Sequence, residues 1–180
     1  MRSQPAPTSI SRHIALVGFP GSGKTTVGQL LAAKLGVAFV DTDAEIERTA
    51  GTDIPSLFAR GEEVFRDLEA EVCARAVRHR APAVISTGGG AMLRTETTTL
   101  YESACDVFVL QVDLPTVLTR LRANTDRPLL RADDQEAADM KTAALFEQRK
   151  AHYGSFGTQI DAARPADEVV EAILATLLGG

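Results

Sequence analysis

His13-Ile14-Ala15-Leu16-Val17-Gly18-Phe19-Pro20-Gly21-Ser22-Gly23-Lys24-Thr25 is the stretch that decides the fold. From Gly18 to Thr25 it meets the phosphate-cradling pattern G-x-x-x-x-G-K-[ST] at every fixed position. The flanks give that match its weight. Residues 13–17 form a short apolar run ending at a glycine, which reads as a fully buried parallel strand. Beyond Lys24, residues Val27, Leu30, Leu31 and Leu35 recur at helical spacing, and Gly36 supplies a stop. Strand, glycine turn and helix thus come in the order that aims backbone N–H groups and the positive end of a helix at an anion. A nucleoside triphosphate is the ligand this arrangement predicts, lying along Gly21, Ser22, Gly23, Lys24, Thr25 and Thr26. Lys24 is expected to reach the β- and γ-phosphates, and the Thr25 hydroxyl to ligate Mg²⁺.

Working outward, apolar runs at 38–40, 83–85, 107–110 and, more weakly, 158–160 alternate with amphipathic stretches near 43–50, 55–79, 95–103, 114–123, 135–153 and 166–178. The alternation predicts an α/β three-layer sandwich around a five-stranded parallel sheet. Residues 13–180 read as one domain, and 1–12, with two prolines and no apolar stretch, as a disordered tail. At 180 residues, 44% hydrophobic and 24% charged, the chain has the makings of a single globular core. It has no apolar run of about 18 residues that could cross a membrane. A net charge of −5 argues against a general nucleic-acid surface. Cys73 and Cys105 fit neither a CxxC pair nor a disulfide framework, so reduced thiols and a cytoplasmic setting are expected.

In such a sheet, ligands gather at the carboxyl ends of the strands. Four polar clusters fall there. Asp41-Thr42-Asp43 follows the second strand, its two acids able to face the crevice together, or Asp41 or Thr42 simply capping the next helix. On the helix from about 62 to 79, Val64, Phe65, Leu68, Val72 and Val77 form the expected buried stripe. Arg66 and Glu69 flank that stripe one turn apart, as a surface ion pair or as part of a site. Gly88-Gly89-Gly90 at the end of the third strand offers bare backbone amides to a small polar ligand. Arg120, Arg122, Arg127 and Arg131 surround a polar segment, about 122–134, able to close over bound phosphates as a mobile lid, and Arg149 lies on the next helix.

GFPGSGKTTVG, Asp41-Thr42-Asp43, Phe65-Arg66-Asp67-Leu68-Glu69, Gly88-Gly89-Gly90 and Arg127-Pro128-Leu129-Leu130 together resemble the shikimate kinase family over residues 12 to 178. The resemblance implies a P-loop kinase fold of the nucleoside-monophosphate-kinase type. It implies transfer of the γ-phosphoryl group of ATP to the 3-hydroxyl of shikimate, a step of aromatic amino-acid biosynthesis. It also implies roles for individual residues. Asp43, Arg66, Glu69, Gly88, Gly89, Gly90 and Arg149 would hold shikimate, with Arg66 and Arg149 on its carboxylate and Glu69 bracing Arg66. A planar guanidinium suits a carboxylate because it offers two parallel donors. Thr25 and Asp41 would hold Mg²⁺. Lys24, Asp43 and Arg127 would be catalytic, Arg127 swinging in with the lid. Arg120, with Arg164 or Pro165, would flank the adenine. ATP, shikimate and Mg²⁺ are the implied ligands, acting on a monomer. The chain departs from the family pattern at Gly154-Ser155-Phe156 and in a shorter loop at 161–165. Two other readings keep the phosphate loop: a related small-molecule kinase such as a gluconate kinase, and a non-catalytic module that senses a nucleotide or metabolite.

Overall fold

In the computed structural model, which describes residues 10–123 and 135–179, five parallel strands form one sheet in the order β2-β3-β1-β4-β5. They are β1 (His13–Val17), β2 (Ala38–Asp41), β3 (Ala83–Ser86), β4 (Cys105–Gln111) and β5 (Thr158–Asp161). The helices are α1 (Lys24–Leu35), α2 (Thr42–Ala50), α3 (Ile54–Arg60), α4 (Glu62–Ala76), α5 (Thr95–Ala104), α6 (Leu114–Ala123), α7 (Gln135–Tyr153) and α8 (Ala166–Leu178). No helix among the described residues is long and apolar enough to cross a membrane.

The central strands are apolar without alternation because both of their faces are covered. Ile14, Leu16, Val84, Phe108 and Leu110 face Val27, Leu31 and Leu35 of α1 and Val169, Val170 and Ile173 of α8. Ala15, Val17, Ile85, Val107 and Val109 face the other way, onto Cys73 and Ala76 of α4, Tyr101 of α5, Val117 of α6 and Tyr153 of α7. A third, smaller cluster, Ile46, Leu57, Phe65 and Val72, holds α2, α3 and α4 together beside the sheet.

Two expectations are corrected. The helical stretch near 55–79 is two helices, broken at Gly61, whose φ of 134° lies where an L side chain is strained. Val64 stands half exposed on the first turn of α4, so the buried stripe starts at Phe65; Leu30 on α1 is likewise exposed. Of residues 1–12, only 10–12 are among those described: Ile10 packs on the α1/α8 side of the core, and Arg12 pairs with Asp106 at 3.0 Å. Both cysteines are free and buried, and burial pushes each thiol up to about 12.

The register brings the site together. Leu16 and Asp41 both pair with Ser86 of β3, so the loops leaving β1, β2 and β3 emerge side by side.

Candidate active site

The phosphate loop leaves β1 at Val17 and enters α1 at Lys24. Gly21 and Gly23 take φ of 82° and 94°, which curls the backbone around the start of α1. No acidic residue of α1 itself lies in its first turn, so the helix's own side chains leave its positive end facing the cradle. Lys24 is buried, and its Nζ donates to the Gly18 and Phe19 carbonyls at 2.8 and 3.1 Å. Those bonds fold the ammonium back across the loop.

Asp41 serves two neighbours at once. Its Oδ1 accepts from the Asp43 and Ala44 amides at 3.0 and 3.4 Å, capping α2, while its Oδ2 accepts the Thr25 hydroxyl at 2.9 Å. Asp41, rather than Thr42, is therefore the cap. Thr42 is fully buried, and its Oγ1 accepts the Gly88 amide at 2.9 Å, tying the start of α2 to the glycine turn. A hydroxyl and a carboxylate, both hard oxygen donors, thus meet at the mouth of the loop, which suits Mg²⁺.

The glycine turn makes room for its neighbours. The Gly88 amide is taken by Thr42, and none of the three glycines has positive φ. They are needed for space. A Cβ on Gly88 would meet Asp43 Oδ1 at 2.6 Å and Glu69 Oε1 at 2.9 Å; one on Gly89 would meet the Pro20 ring at 2.7 Å; one on Gly90 would run into the Arg66 guanidinium. Each glycine thus admits a different neighbour, so that Asp43, Glu69, Arg66 and the phosphate loop converge on one turn.

Arg66 and Glu69 are no surface pair. Arg66 Nη1 donates to Glu69 Oε2 at 2.7 Å, with Glu69 4% exposed, and the guanidinium also lies near the stacked rings of Phe58 and Phe65. Burial pushes the Glu69 carboxyl above its ordinary value, against the pull of the Arg66 bond. Arg149, on α7, reaches the same turn and donates to the Gly89 carbonyl at 2.9 Å.

A cavity of about 340 Å³ joins the two sides, lined by residues 21–27 and by Asp43, Ser86, Thr87 and Gly89. Its far wall is Arg120, Leu121, Ala162, Arg164, Ala166 and Val169. Arg120 crosses that wall, donating to the Ala162 carbonyl at 2.9 Å and to the Ser22 carbonyl at 3.3 Å. Arg164 pairs with Asp161 at 3.1 Å. Pro165 falls outside the lining, at the N-cap of α8. Arg122 pairs with Asp139 of α7, at the protein surface. Arg127, Arg131 and most of the lid expected at 122–134 lie outside the described residues.

Sequence reasoning gave Thr42, Pro20 and Tyr153 no role of their own in this site. Thr42 and Pro20 lie within motifs read there, but each of the three acts through a contact distant in sequence.

The family model described as "Shikimate kinase" matches residues 20–178. A shikimate kinase of Nitrobacter winogradskyi is 49% identical over 76% of this chain and 64% of its own length. One of Moorella thermoacetica is 43% identical over 92% of this chain and 96% of its own. The solved structure of shikimate kinase from Acinetobacter baumannii in complex with shikimate superposes with a TM-score of 0.85 at 32% identity, covering 96% of this chain and 95% of that one. A gluconokinase from Sinorhizobium meliloti, at TM-score 0.58 and 20% identity, shares the fold alone.

Proposed function

The chain belongs to the shikimate kinase family and phosphorylates shikimate with ATP as co-substrate, and we propose that it does so across the cavity between its phosphate loop and its glycine turn. The observation that carries this reading is the shared lining. Residues 21–27 of the nucleotide side and Asp43 and Gly89 of the acceptor side face one space, so donor and acceptor can meet in it.

In the proposed mechanism, the loop amides and Lys24 receive the β- and γ-phosphates, Lys24 giving up its carbonyl partners at Gly18 and Phe19. Arg66 and Arg149 grip the acceptor's carboxylate, which leaves the ring hydroxyls toward Asp43. Asp43 accepts hydrogen bonds from them and takes the proton of the attacking 3-hydroxyl. Because the transition state of phosphoryl transfer is loose, alignment and cations around the equatorial oxygens supply most of the rate. Lys24 is one such cation, and Arg127 is proposed as another. Thr25 and Asp41 would hold Mg²⁺, which when bound neutralises charge on the β- and γ-oxygens. Arg120 and Arg164 would flank the adenine.

We further propose that residues 13–180 work as one catalytic unit, monomeric and cytoplasmic. Two buried, free thiols support a reducing setting.

A coupled ADP-release assay tests the reading. The expected result is ADP formation with shikimate, none above background with gluconate, and loss of turnover in Lys24→Ala. Preference for gluconate, or binding of both ligands with no ADP formed over hours, overturns it.

A further inference from the structure

Helix α7 meets the site at more than Arg149. Phe146, Arg149 and Tyr153 stand three and four residues apart, so they share one face of the helix. Phe146 packs edge-on against Phe19 of the phosphate loop, with ring centroids 5.2 Å apart at 75°. One turn on, Arg149 donates to the Gly89 carbonyl; a further turn on, the Tyr153 hydroxyl donates to the same oxygen. Gly89 in turn has its Cα against the Pro20 ring, one residue after Phe19. The contacts close a ring from the phosphate loop through α7 to the glycine turn and back.

From this ring we propose that Tyr153 is a positioning residue for the acceptor: its hydroxyl holds the Gly89 carbonyl so that Arg149 can turn to a bound carboxylate without releasing the turn. The inference rests on the reading that Arg149 meets the acceptor. A carbonyl oxygen has two lone pairs, so it accepts both donors at rest. When a carboxylate draws Arg149 away, an unassisted Gly89 carbonyl would lose its protein partner at the moment the turn must stay fixed. Tyr153 keeps that partner. Its ring is buried, which pushes its pKa up, so the hydroxyl stays protonated and able to donate throughout the working range. His152 reinforces the arrangement, its Nε2 donating to the Met92 carbonyl at 2.6 Å. Tyr153 touches neither substrate in this scheme.

The test is steady-state kinetics of Tyr153→Phe beside the wild type, with KM measured separately for shikimate and ATP. Loss of one hydrogen bond of ordinary strength predicts a shikimate KM raised about fivefold. The ATP KM is expected to stay within about twofold, because the phosphate loop keeps Phe146 against Phe19. Tyr153→Met, which also lacks the donor but fills the space differently, is expected to show the same split. An unchanged shikimate KM in both variants overturns the proposal, as does an equal rise in both KM values with a lowered melting temperature, which marks a purely structural tyrosine. A wild type that does not phosphorylate shikimate would instead defeat the underlying reading.

Discussion

The Asp41 carboxylate accepts the Thr25 hydroxyl at 2.9 Å while its other oxygen caps α2. One side chain therefore carries a structural duty and a proposed metal duty on separate oxygens. Asparagine is as good a cap as aspartate but has no charge for a cation. Asp41→Asn is expected to melt close to the wild type yet to need about tenfold more Mg²⁺ for half-maximal rate. Asp41→Ala should lose the cap as well, at a cost of about 1 kcal/mol in stability. Mg²⁺ titrations and thermal melts of both variants check this, and an unaltered Mg²⁺ requirement in Asp41→Asn contradicts it.

At Gly90 the crowding atoms belong to the Arg66 guanidinium, with Cζ and Nη2 each 3.0 Å from a Cβ built there. The tip of a long side chain can move, so Gly90→Ala should fold. Arg66 should not stay in place. The expected result is a melting temperature near that of the wild type with a shikimate KM raised about tenfold, equivalent to roughly 1.4 kcal/mol. A changed ATP KM with normal shikimate KM would show that Gly90 serves the nucleotide side.

Glu69 gives the site a dependence on pH with a definite sign. Burial raises its pKa above 4.5, so the folded protein holds this proton at a pH where an unfolded chain has released it. Its contribution to stability is thus fully present below the unfolded value and is lost as pH rises through the folded one. Bracing of Arg66 needs the opposite, ionised form. As pH falls through the raised value, kcat/KM for shikimate should drop, and Glu69→Gln, which has no charge to lose, should lack that acid limb. Profiles of both proteins between about pH 4 and 8 decide the matter; an identical limb in the variant assigns it to another group.

Much of this was legible in the sequence because the signals are local. The strand, glycine turn and helix of residues 13–35 are read within a single window, and the five parallel strands follow from short apolar runs between helical stretches. Arg66 and Glu69 were legible as a pair by their spacing, but not as a buried one. Burial of Glu69 depends on the glycine turn opposite, which no helical pattern reveals. The same limit explains the rest. Thr42 meets Gly88 across 46 residues and Tyr153 meets Gly89 across 64, contacts made only when the sheet register sets the loops side by side. Even the triple glycine, plain in the sequence as a source of amides, gave no sign that it also makes room for Asp43, Pro20 and Arg66.

Placement of the acceptor's carboxylate against Arg66 is the core of the proposed site. Its most direct test is the pair of KM values, for shikimate and for ATP, in Arg66→Lys. That variant keeps a cation beside Glu69 and removes only the two-pronged donor. The expected result is a shikimate KM raised at least about tenfold with the ATP KM within about twofold. An unchanged shikimate KM, or a rise confined to ATP, would contradict it.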